Sequence, residues 1–80
     1  VEQPAATETI DLRGLKCPLP VLRTRRHLRD LAAGSLLRIE TTDPLSVIDI
    51  PHLCREDGHR LVSSAPLEGG HSFLIEKAWE

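Results

Sequence analysis

Apolar and polar residues alternate over two stretches of the chain and recur at helical spacing over two others. Thr9-Ile10-Asp11-Leu12 alternates and predicts a short first strand. From Leu36 to Thr42, Leu37, Ile39 and Thr41 face one way and Arg38 and Glu40 the other, which predicts a strand with one buried face. Between these strands, Val21, Thr24, Leu28, Leu31 and Ala32 fall on one arc, the core-facing stripe of a helix over 18–32. Pro18 suits the first helical position, where N–H groups lack partners anyway, and this makes Cys17 the expected N-cap. Gly34 is the expected C-terminal stop. Asp43-Pro44 opens a second helical segment, but Pro51 must remove a hydrogen bond inside it. The expectation is therefore a short turn over 44–49 and a main helix over 50–57, ended by Gly58. Residues 61–65 and 72–77 predict two further strands, joined by a hairpin loop at Leu67-Glu68-Gly69-Gly70.

Residues 1–8 lack periodicity and predict a flexible N-terminus, leaving 9–80 as a single domain. The order β-α-β-α-β-β predicts an α/β (α+β) two-layer sandwich. Both helices should lie on one face of a mixed four-stranded sheet, with parallel pairs from the two βα units and an antiparallel final hairpin.

Composition narrows the function. Eighty residues leave little room for an internal cavity, so a reactive site is expected at the surface. Phe73 and Trp79 are the only aromatic residues, which argues against base-stacking nucleic-acid platforms. No apolar run approaches the roughly 18–20 residues needed to span a membrane, and no signal-peptide pattern opens the chain. A cytoplasmic location with reduced thiols is expected.

The net charge of −2 hides an asymmetry. Arg13, Lys16, Arg23, Arg25, Arg26 and Arg29 occur within 13–29 without a single acid, whereas residues 40–80 hold eight acids against Arg55, Arg60 and Lys77. Arg23, Arg25, Arg26 and Arg29 sweep round the side of the first helix away from the core, with Leu22 inside that arc and Leu19 one turn earlier. The pattern fits either a solvated basic face or a docking surface for an acidic partner with an apolar anchor.

Of the two cysteines, Cys17 is the first chemical candidate. A sulfur at a helix start lies near the positive pole of the helix, and Arg13 and Lys16 are close in sequence. All three favour thiolate, the nucleophilic form. Pro20 has no N–H, so Leu19 is left as the main cap donor to the sulfur. The alternative is a cysteine that merely replaces serine at a cap. Cys54 shares an arc with Val47 and Ile50 and reads as a core residue, or else as a resolving thiol for Cys17. The histidines are scattered; His52, Cys54 and His59 match no closed zinc spacing, and no metal is expected.

The segment Asp11-Leu12-Arg13-Gly14-Leu15-Lys16-Cys17-Pro18-Leu19-Pro20 resembles the CPxP signature of the TusA/SirA-like family of small sulfur carriers. Asp43-Pro44 and Asp49-Ile50-Pro51-His52-Leu53-Cys54 resemble its second-helix segment, and the resemblance covers about residues 9–77. It implies a sandwich similar to the C-terminal domain of a translation initiation factor. It also implies a sulfurtransferase activity without cofactor, in which Cys17 receives sulfane sulfur as a persulfide and Pro18 and Pro20 shape the site. The implied donor is a cysteine desulfurase or a rhodanese-type enzyme. The implied acceptor is a Tus- or Dsr-type protein, in tRNA 2-thiouridine synthesis, molybdenum-cofactor synthesis or sulfur oxidation. A monomer without direct nucleic-acid or membrane contact is expected. Two other classes remain open on the residues: a small nucleic-acid-binding regulator using the basic helix, and a thiol redox protein using Cys17 with Cys54.

Overall fold

We describe residues 7–78 of a computed structural model. The elements are β1 (Thr7–Leu12), α1 (Leu19–Arg29), β2 (Leu36–Thr41), α2 (Ser46–Asp57), β3 (Arg60–Leu67) and β4 (Gly70–Glu76). They form the expected order around one mixed sheet, β1-β2-β4-β3. β1 and β2 are parallel, while β4 runs antiparallel to both its neighbours, β2 and β3. The second expected parallel pair does not form, because β4 inserts between β2 and β3. The crossover through α2 leads to a strand parallel to β2 in direction but one place removed.

The alternation read in β2 decides where the core lies. Leu37, Ile39 and Thr41 are buried, and they pair with Ile75, Phe73 and His71 of β4. Leu28 of α1 and Ile50, Leu53 and Cys54 of α2 pack with Leu12, Leu37, Ile39, Phe73 and Ile75 in a single core cluster. Arg38 and Glu40 alternate onto the opposite face, which no helix covers among the described residues. Arg25 of α1 joins the two helices, with Nε 2.8 Å from Asp57 Oδ2 and Nη2 3.2 Å from Glu56 Oε1.

Several boundaries differ from the sequence reading. β1 starts at Thr7, so Thr7 and Glu8 are strand and not flexible tail; residues 1–6 lie outside the described residues. Glu8 is fixed by His27 of α1, Nε2 to Oε1 2.7 Å. α1 stops at Arg29, short of Ala32. There the Leu28 carbonyl accepts both the Leu31 N–H, at 3.2 Å, and the Lys77 ammonium, which closes the last turn early. Leu31 and Ala32 therefore lie beyond the helix, and Gly34, at φ +84°, belongs to the turn into β2. α2 runs unbroken from Ser46 through Pro51. The bond that Pro51 forfeits would have ended on the carbonyl of Val47, an exposed residue, so solvent is available to that group. Val47 accordingly leaves the core arc assigned to it. Gly58 ends α2 in the left-handed region, as the sequence predicts.

β3 is longer than expected and carries a register irregularity between Leu61 and Ser63. The hairpin into β4 brings Gly70 against the end of β2. An added Cβ at Gly70 would lie 2.0 Å from the Thr41 carbonyl oxygen.

Candidate functional site

Cys17 sits in the connection from β1 to α1, on the surface, while Cys54 is buried at 2 % exposure; both are free thiols. The connection is held by the segment between β2 and α2. Gly14 N–H donates to Thr42 Oγ1 at 2.8 Å, and Cys17 N–H donates to Asp43 Oδ2 at 2.8 Å. The other oxygen of Asp43 accepts the Leu45 N–H at 3.2 Å, and its backbone carbonyl accepts the Ser46 N–H at 3.0 Å. Asp43 thus does two jobs: it turns the chain into α2 and holds Cys17 by the backbone. Short polar side chains suit both, because they reach a backbone N–H without leaving their own turn.

The expected cap is not made. Pro18 is the residue preceding α1, with no side-chain cap bond, and the Cys17–Pro18 peptide is cis. The Leu19 N–H, expected to serve the sulfur, donates instead to the Lys16 carbonyl at 2.8 Å. Cys17 Sγ turns the other way and donates to Asp49 Oδ2 on α2, at 3.5 Å. This overturns the expectation of an easily formed thiolate. Partial desolvation, the bond to Asp49 and the charges of Asp49 and Asp43 together push the Cys17 thiol above its ordinary value. Arg13 does not offset them. Its backbone N–H, Nε and Nη2 all go to Asp11, at 3.0, 2.9 and 3.0 Å. The Arg13 guanidinium and N–H in turn hold the Asp11 carboxyl down to about 2.

The remaining sequence candidates separate into groups. Lys16, Pro18 and Leu19, next to Cys17 in the chain, are exposed, and Pro20, the second residue of α1, is buried. Leu22 is 52 % exposed, and Arg26 and Arg29 are exposed beside it. Arg25 is only half-exposed and is committed to Glu56 and Asp57. Arg23 and Arg26 line an open hollow of about 440 Å³ between β1 and α1, together with His27 and Asp30. Among the described residues no group of three or more His, Cys, Asp or Glu side chains is arranged to hold a metal ion. No helix there is long and apolar enough to cross a membrane.

Sequence reasoning missed Asp49 as a partner of the sulfur, since 32 residues separate them. It also missed the exposed apolar start of α2, where Leu45, Val47 and Ile48 are 50, 45 and 65 % exposed. A signal was present: in Leu45-Ser46-Val47-Ile48 the apolar residues are too dense for one helical face.

Cys54 has a different character. Burial pushes its thiol up to about 11, and it packs in the core cluster. A thiol so placed contributes packing and is slow to ionise.

The arrangement is one exposed cysteine in the β1–α1 connection, hydrogen-bonded to Asp43 and Asp49, in a molecule that also exposes a basic face of α1 and an apolar start of α2. Comparison with known proteins points the same way. Residues 8–77 match the family described as Sulfurtransferase TusA. The protein named "Sulfur carrier protein TusA" of Pseudomonas entomophila strain L48 is 41 % identical over 69 residues, covering 86 % of each chain. Its namesake in Pseudomonas putida strain W619 is 41 % identical over 68 residues, covering 85 % of each. That of Pseudomonas fluorescens strain SBW25 is 41 % identical over 69 residues, or 86 % of this chain and 83 % of the relative. With seven-eighths of its length matched in this way and its surface cysteine at the strand-to-helix junction, the chain belongs to the TusA sulfurtransferase family.

Proposed function

We propose that this protein carries sulfane sulfur as a persulfide on Cys17 and hands it to the thiol of an acceptor protein. The observation that carries the reading is that Cys17 is the exposed member of the two cysteines, open to the cysteine of a larger enzyme, while Cys54 is buried. The other cysteine is in the core, which removes the support for a Cys17–Cys54 redox couple.

The exchange needs neither metal nor oxidant. The Cys17 thiolate attacks the outer sulfur of the donor's persulfide. A bond forms between Cys17 Sγ and that sulfur, the donor's S–S bond breaks, and the electron pair leaves on the donor's cysteine, which takes up a proton. In the second step the acceptor's thiolate attacks the outer sulfur on Cys17, and Cys17 departs as thiolate. One sulfur atom has moved, with no net change in oxidation state.

The donor in this reading is a cysteine desulfurase or rhodanese-type enzyme, and the acceptor is the next protein of a sulfur relay such as tRNA thiolation. Both dock on the exposed side of α1. Arg26 and Arg29 steer acidic surfaces and Leu22 supplies an apolar anchor, while Arg25 is occupied by Glu56 and Asp57. One docking face beside one sulfur means that donor and acceptor take turns.

The test is intact mass after incubation with a cysteine desulfurase and cysteine. The wild-type protein should gain one sulfur atom and Cys17→Ser should gain none while keeping its circular dichroism spectrum. A sulfur adduct on the folded Cys17→Ser protein would refute the assignment.

A further inference from the structure

The charges around Cys17 come from each segment that packs against it. Asp49 of α2 touches the sulfur, at 3.5 Å. Asp43, from the connection between β2 and α2, accepts the Cys17 N–H and so lies beside the same residue. Of opposite sign are the positive pole of α1, which begins two residues later, and Lys16, the preceding residue, whereas Arg13 is turned to Asp11. The group in contact with the reacting atom is therefore an acid. A negative charge at that place is unhelpful to a thiol that must ionise in order to attack.

Resting on the reading of Cys17 as the sulfur-carrying residue, we propose that Asp49 restrains the exchange in both states of the carrier. In the empty carrier its carboxylate holds the Cys17 proton; in the loaded carrier it makes Cys17 a reluctant leaving group.

The first half follows from contact geometry. A carboxylate accepting the S–H bond stabilises thiol and repels thiolate, and desolvation of the Cys17 thiol acts in the same direction. The empty carrier is then slow to react with stray electrophiles and oxidants, which attack the thiolate.

The second half concerns loss of cargo. A stray thiolate discharges the carrier by attacking the outer sulfur of the Cys17 persulfide. A new S–S bond forms in the small-molecule persulfide, the Cys17 Sγ–S bond breaks, and the electron pair remains on Sγ until it takes a proton. Such exchange slows as the leaving thiol's pKa rises. The charge that develops on Sγ faces Asp49, so the carboxylate raises the barrier to premature discharge. Such a carrier is built to retain its sulfur between partners, not to exchange it quickly with any thiol.

The test is Asp49→Asn, which keeps size and removes the charge. In wild type, the midpoint of iodoacetamide alkylation against pH should lie above the ordinary thiol value of about 8.5. In the variant it should fall by about half a unit to one unit, leaving roughly three- to tenfold more thiolate at neutral pH. After loading with inorganic polysulfide, the variant should also lose its sulfur to excess glutathione several-fold faster, by the leaving-group dependence. Asp49→Ser provides a second variant should the asparagine fail to fold, and the wild-type midpoint needs no variant at all. A wild-type midpoint at or below the ordinary value, or an unchanged midpoint in a folded variant, overturns the proposal. The alkylation arm needs no sulfur cargo. An unchanged midpoint in a protein that does load sulfur therefore defeats the role of Asp49 alone. A Cys17 that accepts no sulfur from polysulfide or from a desulfurase defeats the carrier reading and this proposal with it.

Discussion

Replacing Gly70 with alanine should damage both the fold and the sulfur site. A Cβ there would sit 2.0 Å from the Thr41 carbonyl oxygen, 3.0 Å from the Thr41 carbonyl carbon and 3.1 Å from the Thr42 Cα. All three are backbone atoms, so no rotamer change relieves the clash. β2 and β4 would have to separate locally by about 1 Å before the closest contact became tolerable. Gly70 does not have a positive φ, so the penalty is steric and not torsional. Overpacking typically costs about 1–3 kcal/mol. With the rigid neighbours here we expect about 3 kcal/mol, a large part of the roughly 4–12 kcal/mol that a domain of this size holds in all. The melting temperature should fall by roughly 12–24 °C. Gly69 is the control. It has φ +74° and nothing within 4 Å of an added Cβ, so Gly69→Ala should cost only the left-handed penalty of about 1–2 kcal/mol. The displaced end of β2 leads into Thr42 and Asp43, which hold Gly14 and Cys17. Gly70→Ala should therefore also shift the pH profile of Cys17 alkylation, whereas Gly69→Ala should not. Urea denaturation and alkylation of both variants would decide. Gly70→Ala within about 0.5 kcal/mol of wild type, or less harmful than Gly69→Ala, would refute the reasoning.

Cys54→Ala should cost about 1 kcal/mol in urea denaturation and leave sulfur loading on Cys17 intact. In the folded wild type, thiol labelling at neutral pH should modify Cys17 and spare Cys54, whose thiol is held at about 11 by burial. Arg25→Gln should cost roughly 0.5–1 kcal/mol at low salt and less at high salt, since the bridge to Glu56 and Asp57 is partly exposed and screened. His59 is depressed below the ordinary histidine value of 6.5, chiefly by burial, with Lys77 and Arg25 adding to it against Asp57. Its Nδ1 accepts the Ala78 N–H at 2.9 Å, which protonation there would break. The unfolded chain thus binds the proton first, so stability should be full above the ordinary value and decline as pH falls from there through the folded value. In His59→Gln this component of the slope should be absent from pH-dependent melting.

The parts of the fold legible in sequence are those decided by local periodicity. The Leu37-Ile39-Thr41 alternation showed the buried face of β2, and Gly58 showed the end of α2, because each is a property of a few adjacent residues. The neighbour of β2 was not legible, since strand order depends on which hairpin packs more closely and not on any one segment. Pro51 misled about α2: a missing N–H breaks a helix only where its orphaned carbonyl has no other partner, and exposure is a tertiary property. The site shows the same division. Cys17 stands out by its neighbours in the chain, but its electrostatic setting comes from Asp43 and Asp49, 26 and 32 residues away. Arg13 lies close to Cys17 in the chain but is claimed by Asp11, two residues away, and proximity in sequence does not reveal which charges are already paired.

The sheet has two rims, β1 and β3, and each leaves peptide groups that a foreign strand could join. β3 carries its own deterrent. Pro66 offers no N–H, and the irregularity between Leu61 and Ser63 breaks the even spacing that an incoming strand must match. On the opposite rim, Glu8 is drawn inward by His27. Strand-to-strand stacking of identical copies is thus discouraged along β3 by the strand's own residues, an economical safeguard in so small a molecule. Cys17 is exposed just ahead of α1, so a rim that resists strand addition protects against self-association without any need to bury the cysteine.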